Sequence, residues 1–304
     1  MPTPAPKAPT VLGHLGLFYA AAIWGATFFV VKGALAAVDP LILVGYRFLI
    51  AGGLLLAVVI ILGRNLTAHL GRSAILAVIL WTLYISQTVG LQYTTASNSG
   101  FITGLFIAFV PILLRLLFRR RPTIMEVIAS AVSLVGLWIL TGGLRQVNVG
   151  DMLTLISAMT YALHLLYSDK YLKEGLDPWV MSCQQFLLVG ALSIAAGWVT
   201  GRPFAVRTAG AMWVVIFLAL LPTASAFVIQ MLAQRIIAPV RVSLVFAFEP
   251  VFAGVFAWTL GGEPFILRTA GGGLLIFLGL ILSALPDPPA FRPKRAPTAR
   301  RRAT

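Results

Sequence analysis

The sequence predicts an all-α integral membrane protein, with ten transmembrane helices arranged as two inverted five-helix repeats. Three observations carry this. The 304 residues are 59% hydrophobic and only 11% charged, with mean hydropathy +0.95, whereas a soluble domain is about one quarter charged. Ten apolar runs are each long enough to cross a bilayer, which takes about 20 residues. Short matches between the two halves then recur at a nearly constant offset.

The runs lie near residues 13–35, 40–62, 74–94, 96–118, 123–142, 150–172, 178–199, 210–234, 238–260 and 267–286. Pro40, Pro178, Pro239 and Pro264 stand at or just outside helix starts, where proline is tolerated. Pro111, Pro222 and Pro250 fall inside spans and predict bends or breaks there. The repeats cover 13–142 and 150–286, flanked by an N-terminal segment at 1–12 and a basic tail at 287–304. This leaves no room for a sizeable extramembrane domain. No cleavable signal peptide is expected, because residues 1–12 are proline-rich and the run that follows is too long for a signal's apolar core.

The formal charge of +14 would suit nucleic acid, but such binding needs a soluble basic face. Here the basic residues lie between apolar runs and in the tail. With the N-terminus cytoplasmic, the inner segments hold Lys7, Arg64, Arg72, Arg115, Arg119, Arg120, Arg121, Lys170, Lys173, Arg235 and Arg241, and the tail adds six more. The outer segments hold Lys32, Arg145, Arg202, Arg207 and Arg268. That split of 17 to 5 predicts both termini in the cytoplasm and an even number of spans.

Asp39-Pro40 matches Asp177-Pro178 at an offset of 138, as Phe48-Leu49 matches Phe186-Leu187. Gln92 and Ala96 match Gln234 and Ala238 at 142, and so do Pro122 and Pro264. Five spans per copy is odd, so the second copy enters from the other side. That is the architecture of secondary transporters, with a site near the midplane. Pro111 lies 15 residues after Ala96 but Pro250 only 12 after Ala238, which predicts a displaced kink in the first half.

Polar residues inside spans usually face the bundle interior. Trp24 and Thr27 share a face of the first span, Tyr84 and Gln87 of the third, Ser99 and Thr103 with Phe106 of the fourth. Tyr161 and His164 share a face of the sixth, and Thr223, Phe227, Gln230 and Gln234 of the eighth, while Phe246 and Phe248 approach the middle of the ninth. An aromatic wall with a few hydrogen-bonding groups suits a flat amphipathic solute. The substrate-binding set is therefore Trp24, Thr27, Tyr84, Gln87, Ser99, Thr103, Tyr161, His164, Gln230, Phe246 and Phe248, with Trp24 and Tyr161 facing each other across the pseudo-twofold axis. The competing reading is interhelical bonding, at about 0.6 kcal/mol on average.

Glu249, His164 and Arg47 are the candidates for ion coupling. Each also has a structural reading: Glu249 bonding backbone groups freed at Pro250, His164 bonded across helices, Arg47 pairing with a carbonyl or snorkelling outward. Glu126, four residues past Pro122, reads as interfacial. Gly100 and Gly104 form a GxxxG pair, and Gly271, Gly272, Gly273 and Gly279 smooth the tenth span. Close helix packing is the main reading and dimerisation the minor one, so the chain is a monomer or a homodimer. Cys183 is the single cysteine, which excludes a disulfide framework. His14, His69 and His164 have no HExxH spacing, and no midspan Asp pair occurs. No enzyme site, metal or cofactor is expected, and no filter-like channel motif is present.

Several short motifs, taken in order, resemble a known family. They are Trp24-Gly25-Ala26-Thr27-Phe28, Tyr46-Arg47-Phe48, Ala96-Ser97-Asn98, Gly150-Asp151, Glu249-Pro250 and Gly262-Glu263-Pro264. Over residues 13–286 the chain resembles the EamA-type group of the drug/metabolite transporter superfamily, and within it the YddG-type aromatic amino acid exporters. The resemblance implies an alternating-access transporter in membrane lipid that exports small metabolites, aromatic or other hydrophobic amino acids, through a midplane cavity. A multidrug or lipid translocator of the same fold is the alternative.

Overall fold

The computed structural model describes residues 8–143, 147–259 and 266–286. Gly262-Glu263-Pro264, Arg145, Lys7 and the basic tail lie outside the described residues. Ten spans are long and apolar enough to cross a membrane. They are built from α1 (Ala8–Ala34), α2 (Pro40–Ile61), α3 (Leu70–Tyr93), α4 (Ala96–Gly104), α5 (Phe106–Leu117), α6 (Ile124–Thr141), α7 (Val149–Lys173), α8 (Pro178–Val199), α9 (Ala209–Leu218), α10 (Ala226–Gln234), α11 (Pro239–Phe246), α12 (Glu249–Thr259) and α13 (Leu267–Ala284). The fourth span is α4 with α5, and the ninth is α11 with α12. The eighth joins α9 to α10 through a π-helical turn at Ala219–Ser225.

Both the first and the last described helix have an end on one face of the bundle, here the terminal face; the other is the distal face. Side-chain caps set where many spans begin. The Asp39 carboxylate accepts from the Leu41 amide (2.9 Å) at the start of α2, and Asp177 accepts from that of Trp179 (2.8 Å) at the start of α8. Thr123 with Glu126, and Asn148 with Asp151, form reciprocal capping boxes for α6 and α7. Each satisfies two amides that lack helical partners. Tyr93, Trp138, Trp198 and Trp213 are all exposed at distal ends of spans, the placement of an interfacial aromatic belt.

The inverted repeat is visible in side-chain contacts. A methyl on Gly52 would lie 2.8 Å from Leu187, and one on Gly190 would lie 2.7 Å from Leu49. These are the same contact seen from either end, because 52 and 190, like 49 and 187, differ by 138. Ion pairs repeat the relation. Arg64 approaches Asp177 at 3.6 Å on the terminal face and Arg202 approaches Asp39 at 3.9 Å on the distal face.

Two expectations change. The first helix starts at Ala8 rather than near 13, since Pro9 falls in a first turn whose amides need no helical partner. The expected displacement of the kink does not occur. The fourth span breaks at Leu105 and the ninth at Ala247 and Phe248, equivalent positions at offset 142. Pro111 sits inside α5 without breaking it; Gly104, a weak helix former, precedes the break instead.

Gly272, Gly273 and Gly279 of α13 pack inside the chain. A methyl on Gly272 would lie 2.4 Å from the Leu140 amide nitrogen of α6, while one on Gly271 meets nothing within 4 Å. Overpacking costs about 1–3 kcal/mol. Gly272→Ala should therefore lower the melting temperature in detergent by several degrees, and Gly271→Ala should not. Equal melting of the two variants would refute this packing.

Candidate functional site

At mid-depth the five inward stripes converge on a cavity of about 30 Å³. Trp24, Thr27 and Phe28 of α1 line it, with Leu83, Tyr84 and Gln87 of α3, Thr103 of α4, Tyr161 of α7, Phe227 of α10 and Glu249 of α12. It holds a water molecule or two, well short of the roughly 300 Å³ at which ligand pockets begin. In this state a solute does not fit it.

Its walls are aromatic. Tyr161 stacks on Phe106 (ring centroids 4.4 Å) and lies edge-on to Trp24 (6.3 Å). Trp24 also packs against Phe227 at 5.1 Å and Phe246 at 4.9 Å. Toward the α2–α8 contact, Phe48 meets its repeat equivalent Phe186 at 5.4 Å, and Phe186 meets Phe227 at 5.6 Å. Gly25 makes the arrangement possible: its missing side chain lets α1 approach the backbone carbonyl of Glu249, where a methyl would collide at 2.4 Å.

The π turn supplies the polar frame. Pro222 has no amide hydrogen to give the Leu218 carbonyl four residues back, and the Thr223 hydroxyl donates to that oxygen at 2.7 Å. The Pro222 carbonyl accepts from the Trp24 indole N–H at 2.7 Å, which fixes the ring. The lone pairs of Thr223 Oγ1 then face Arg47, whose Nε donates at 2.5 Å. Arg47 also donates to the Tyr84 hydroxyl at 3.3 Å and lies 4.6 Å from its ring centroid. It is only 3% exposed, so it neither snorkels nor binds a carbonyl, as the sequence had suggested. The reason is the hydroxyl that the π turn carries to it.

Glu249 is 6% exposed and accepts from the Tyr161 hydroxyl at 3.3 Å. It does not cap backbone groups freed by Pro250. Among the described residues, neither Arg47 nor Glu249 has an ion-pair partner. A charge kept out of water without a counter-charge is expensive. Here two ionisable groups stand near one cavity, Glu249 in its lining and Arg47 behind Tyr84.

The expected residues separate into groups. Trp24, Thr27, Tyr84, Gln87, Thr103 and Tyr161 line the cavity, with Gln87 donating to Thr103 at 3.0 Å. Phe246 backs the wall. His164 and Gln230 lie beyond Phe227 toward the terminal face, and Ser99 is fully buried away from the lining. Phe248 is a correction: its ring packs on Phe18, Phe252 and Phe277, because the break after Phe246 turns it to the other side. Phe28, Leu83 and Phe227 line the site without having been in the expected set. Phe28 and Leu83 carry no polar signal, but Phe227 stood on the stripe of the eighth span.

A larger space of about 200 Å³ lies on the distal side, between α1, α4, α6, α12 and the start of α13. Phe28 lines both spaces, so the cavity and this vestibule adjoin at that ring.

The Arg47–Thr223 bond joins α2 to the π turn and has its own consequence. Thr223→Val keeps the shape and leaves a buried guanidinium nitrogen unpaired, at a cost of about 1–3 kcal/mol. Thermal melts should show a clear loss for Thr223→Val and recovery in Thr223→Ser. No difference between the two variants would mean that the hydroxyl is idle.

Comparison with known proteins agrees with this architecture. A transporter of Archaeoglobus fulgidus, described as uncharacterized, is 30% identical over 89% of this chain and 85% of its own. The uncharacterized inner membrane transporter YedA of Escherichia coli is 28% identical over 81% of this chain and 82% of its own. A solved crystal structure superposes with a TM-score of 0.77 at 17% identity, covering 92% of this chain and 97% of the other, which shows the fold. The EamA-like transporter family matches residues 11–142 and again 148–285. On these matches and the ten-span bundle, the protein is a membrane transporter and belongs to the EamA-like transporter family.

Proposed function

We propose that the protein exports aromatic or other hydrophobic amino acids by alternating access, from a cytoplasm on the terminal face across the inner membrane. One observation carries the reading. A cavity walled by aromatic rings has the buried carboxyl group of Glu249 in its lining and the buried Arg47 guanidinium behind Tyr84, and neither is ion-paired among the described residues. A zwitterion with a flat apolar side chain complements all three features: its ammonium meets Glu249, its carboxylate meets Arg47, and its ring replaces contacts among Trp24, Tyr161 and Phe227.

The present closed cavity requires the helices to part before a solute enters, which is what two rocking repeats provide. Phe28, which lines both the cavity and the distal vestibule, is the first ring to move on that side. The basic residues concentrated at terminal-face ends support the orientation, and the printed description of YedA as an inner membrane transporter supports the location. A lipid or multidrug translocator has no need for a buried carboxyl group and a buried guanidinium beside one small cavity.

Counterflow into proteoliposomes, with the twenty amino acids and common cationic drugs, tests the substrate class. Phenylalanine or tryptophan should exchange. An aromatic amine lacking the carboxylate should depend on Glu249 and tolerate Arg47→Gln, and an aromatic carboxylate lacking the amine should show the reverse. Trp24→Ala and Tyr161→Ala should weaken aromatic transport several-fold, since ring stacking is worth about 0.5–1.5 kcal/mol and 1.4 kcal/mol is tenfold. Phe277→Ala, 46% exposed on α13, should not. Exchange of drugs without any amino acid would overturn the proposal.

Orientation has a separate test. A C-terminal fusion to a reporter active only outside the inner membrane should be silent, and activity there would reverse the assignment.

A further inference from the structure

We infer that His164, Gln185, Gln230 and Gln234 form the closed leg of the translocation path on the terminal face. In this leg, spare hydrogen-bonding atoms take water and the passing solute's polar head when that side opens. All four side chains are fully buried. They lie on α7, α8 and α10, and Phe227, which lines the cavity, has its ring 6.0 Å from that of His164. His164 Nε2 bonds Gln185 Oε1 at 2.9 Å, Gln230 donates to Gln234 Oε1 at 2.9 Å, and Gln234 donates to the Leu165 carbonyl at 2.9 Å. What is left over is His164 Nδ1, Gln185 Nε2 and Gln230 Oε1, none with a partner among the described residues.

The unspent capacity continues toward the terminal face. Ser168 is one turn beyond His164 on α7, and Ser182 is nearly one turn beyond Gln185 on α8. Both are fully buried with unpartnered hydroxyls. Buried serine hydroxyls elsewhere, such as Ser73, Ser133 and Ser193, also lack partners, but on this line the shortfall extends to an imidazole and two side-chain amides, and buried groups left unpaired are costly. A track with this much spare capacity is matched to another state, in which it is wet.

The inverted repeat gives independent support. Gln185 is the equivalent of Arg47 at offset 138. Arg47 is seven residues from the distal end of α2 and Gln185 seven from the terminal-face end of α8. Symmetry therefore places Gln185 as deep from one face as Arg47 is from the other. Ion pairs show which leg is shut. On the terminal face, Arg64, Arg72 and Arg120 of the first half meet Asp177, Glu174 and Asp169 of the second. On the distal face the described residues give the single cross-half pair Arg202–Asp39.

The test is thiol accessibility in a Cys183→Ser background, with Gln185→Cys and Gln230→Cys made singly and Ala162→Cys as a buried control. A membrane-impermeant thiol reagent is applied to vesicles from the side that exposes a C-terminal tag, and separately from the other side. Adding Arg72→Ser and Arg120→Ser should raise labelling of both cysteines several-fold from the tagged side alone, without any solute. That outcome does not depend on which solute is carried, so it is separable from failure of the amino acid proposal. In the unsubstituted protein, amide exchange around 182–186 and 227–234 should quicken when phenylalanine is supplied to an active preparation. Labelling that stays at the Ala162→Cys level in both cysteine variants while they still transport would overturn the inference. So would labelling from the untagged side.

Discussion

A backbone amide or carbonyl in hydrocarbon must find a partner inside the protein, so irregular backbone survives only where protein or a cavity surrounds it. This chain breaks its spans at Leu105, at Ala219–Ser225 and at Ala247 with Phe248, and residues beside all three breaks reach one place. Thr103 comes from just before the first, Glu249 from just after the last, and the π turn presents the Pro222 carbonyl to Trp24 and Thr223 to Arg47. The cavity is where the chain's departures from regular helix are concentrated, and their loose backbone and side-chain groups bind one another there.

The spans were legible because hydropathy, Asp-Pro caps and prolines mark membrane helices almost redundantly. The repeat was legible because the contacts that build it, such as Phe48 with Phe186, preserve residue identity at a fixed offset. The break in the fourth span was misplaced because proline is the louder signal, while the weaker helix former Gly104 marked the actual site. Phe246 and Phe248 could have been told apart beforehand, since residues two apart on a helix point about 200° from each other. Phe28 and Leu83 were beyond reach. In a bilayer an apolar side chain is at home on any face of a helix, so periodicity does not say which one meets a cavity.

The polar residues divide by how completely they are satisfied. Gln87 with Thr103 and Thr94 with Asp151 are cross-helix bonds of the kind that hold bundles together. Arg47 and Glu249 have hydrogen bonds but no counter-charge among the described residues, and the glutamines beyond Phe227 have bonds with capacity to spare. A side chain needed only for cohesion gains nothing from such shortfall.

The two faces are closed by different means. Toward the terminal face, several layers of rings and bonded amides lie beneath the cavity, with ion pairs at the rim; toward the distal face, the cavity and the vestibule adjoin at Phe28. Exposed ion pairs are worth little singly, about 0–1 kcal/mol each, and rotating one buried ring into the space of the vestibule disturbs few contacts. Neither rim is an absolute lock. The balance between states is then set by small differences between large packed surfaces, and a solute shifts it only by as much as it binds one state better than the other. On the proposed amino acid reading, a zwitterion gains its contacts with Glu249 and Arg47 only when it sits in the cavity, so the term that drives exchange is located there and not at either rim.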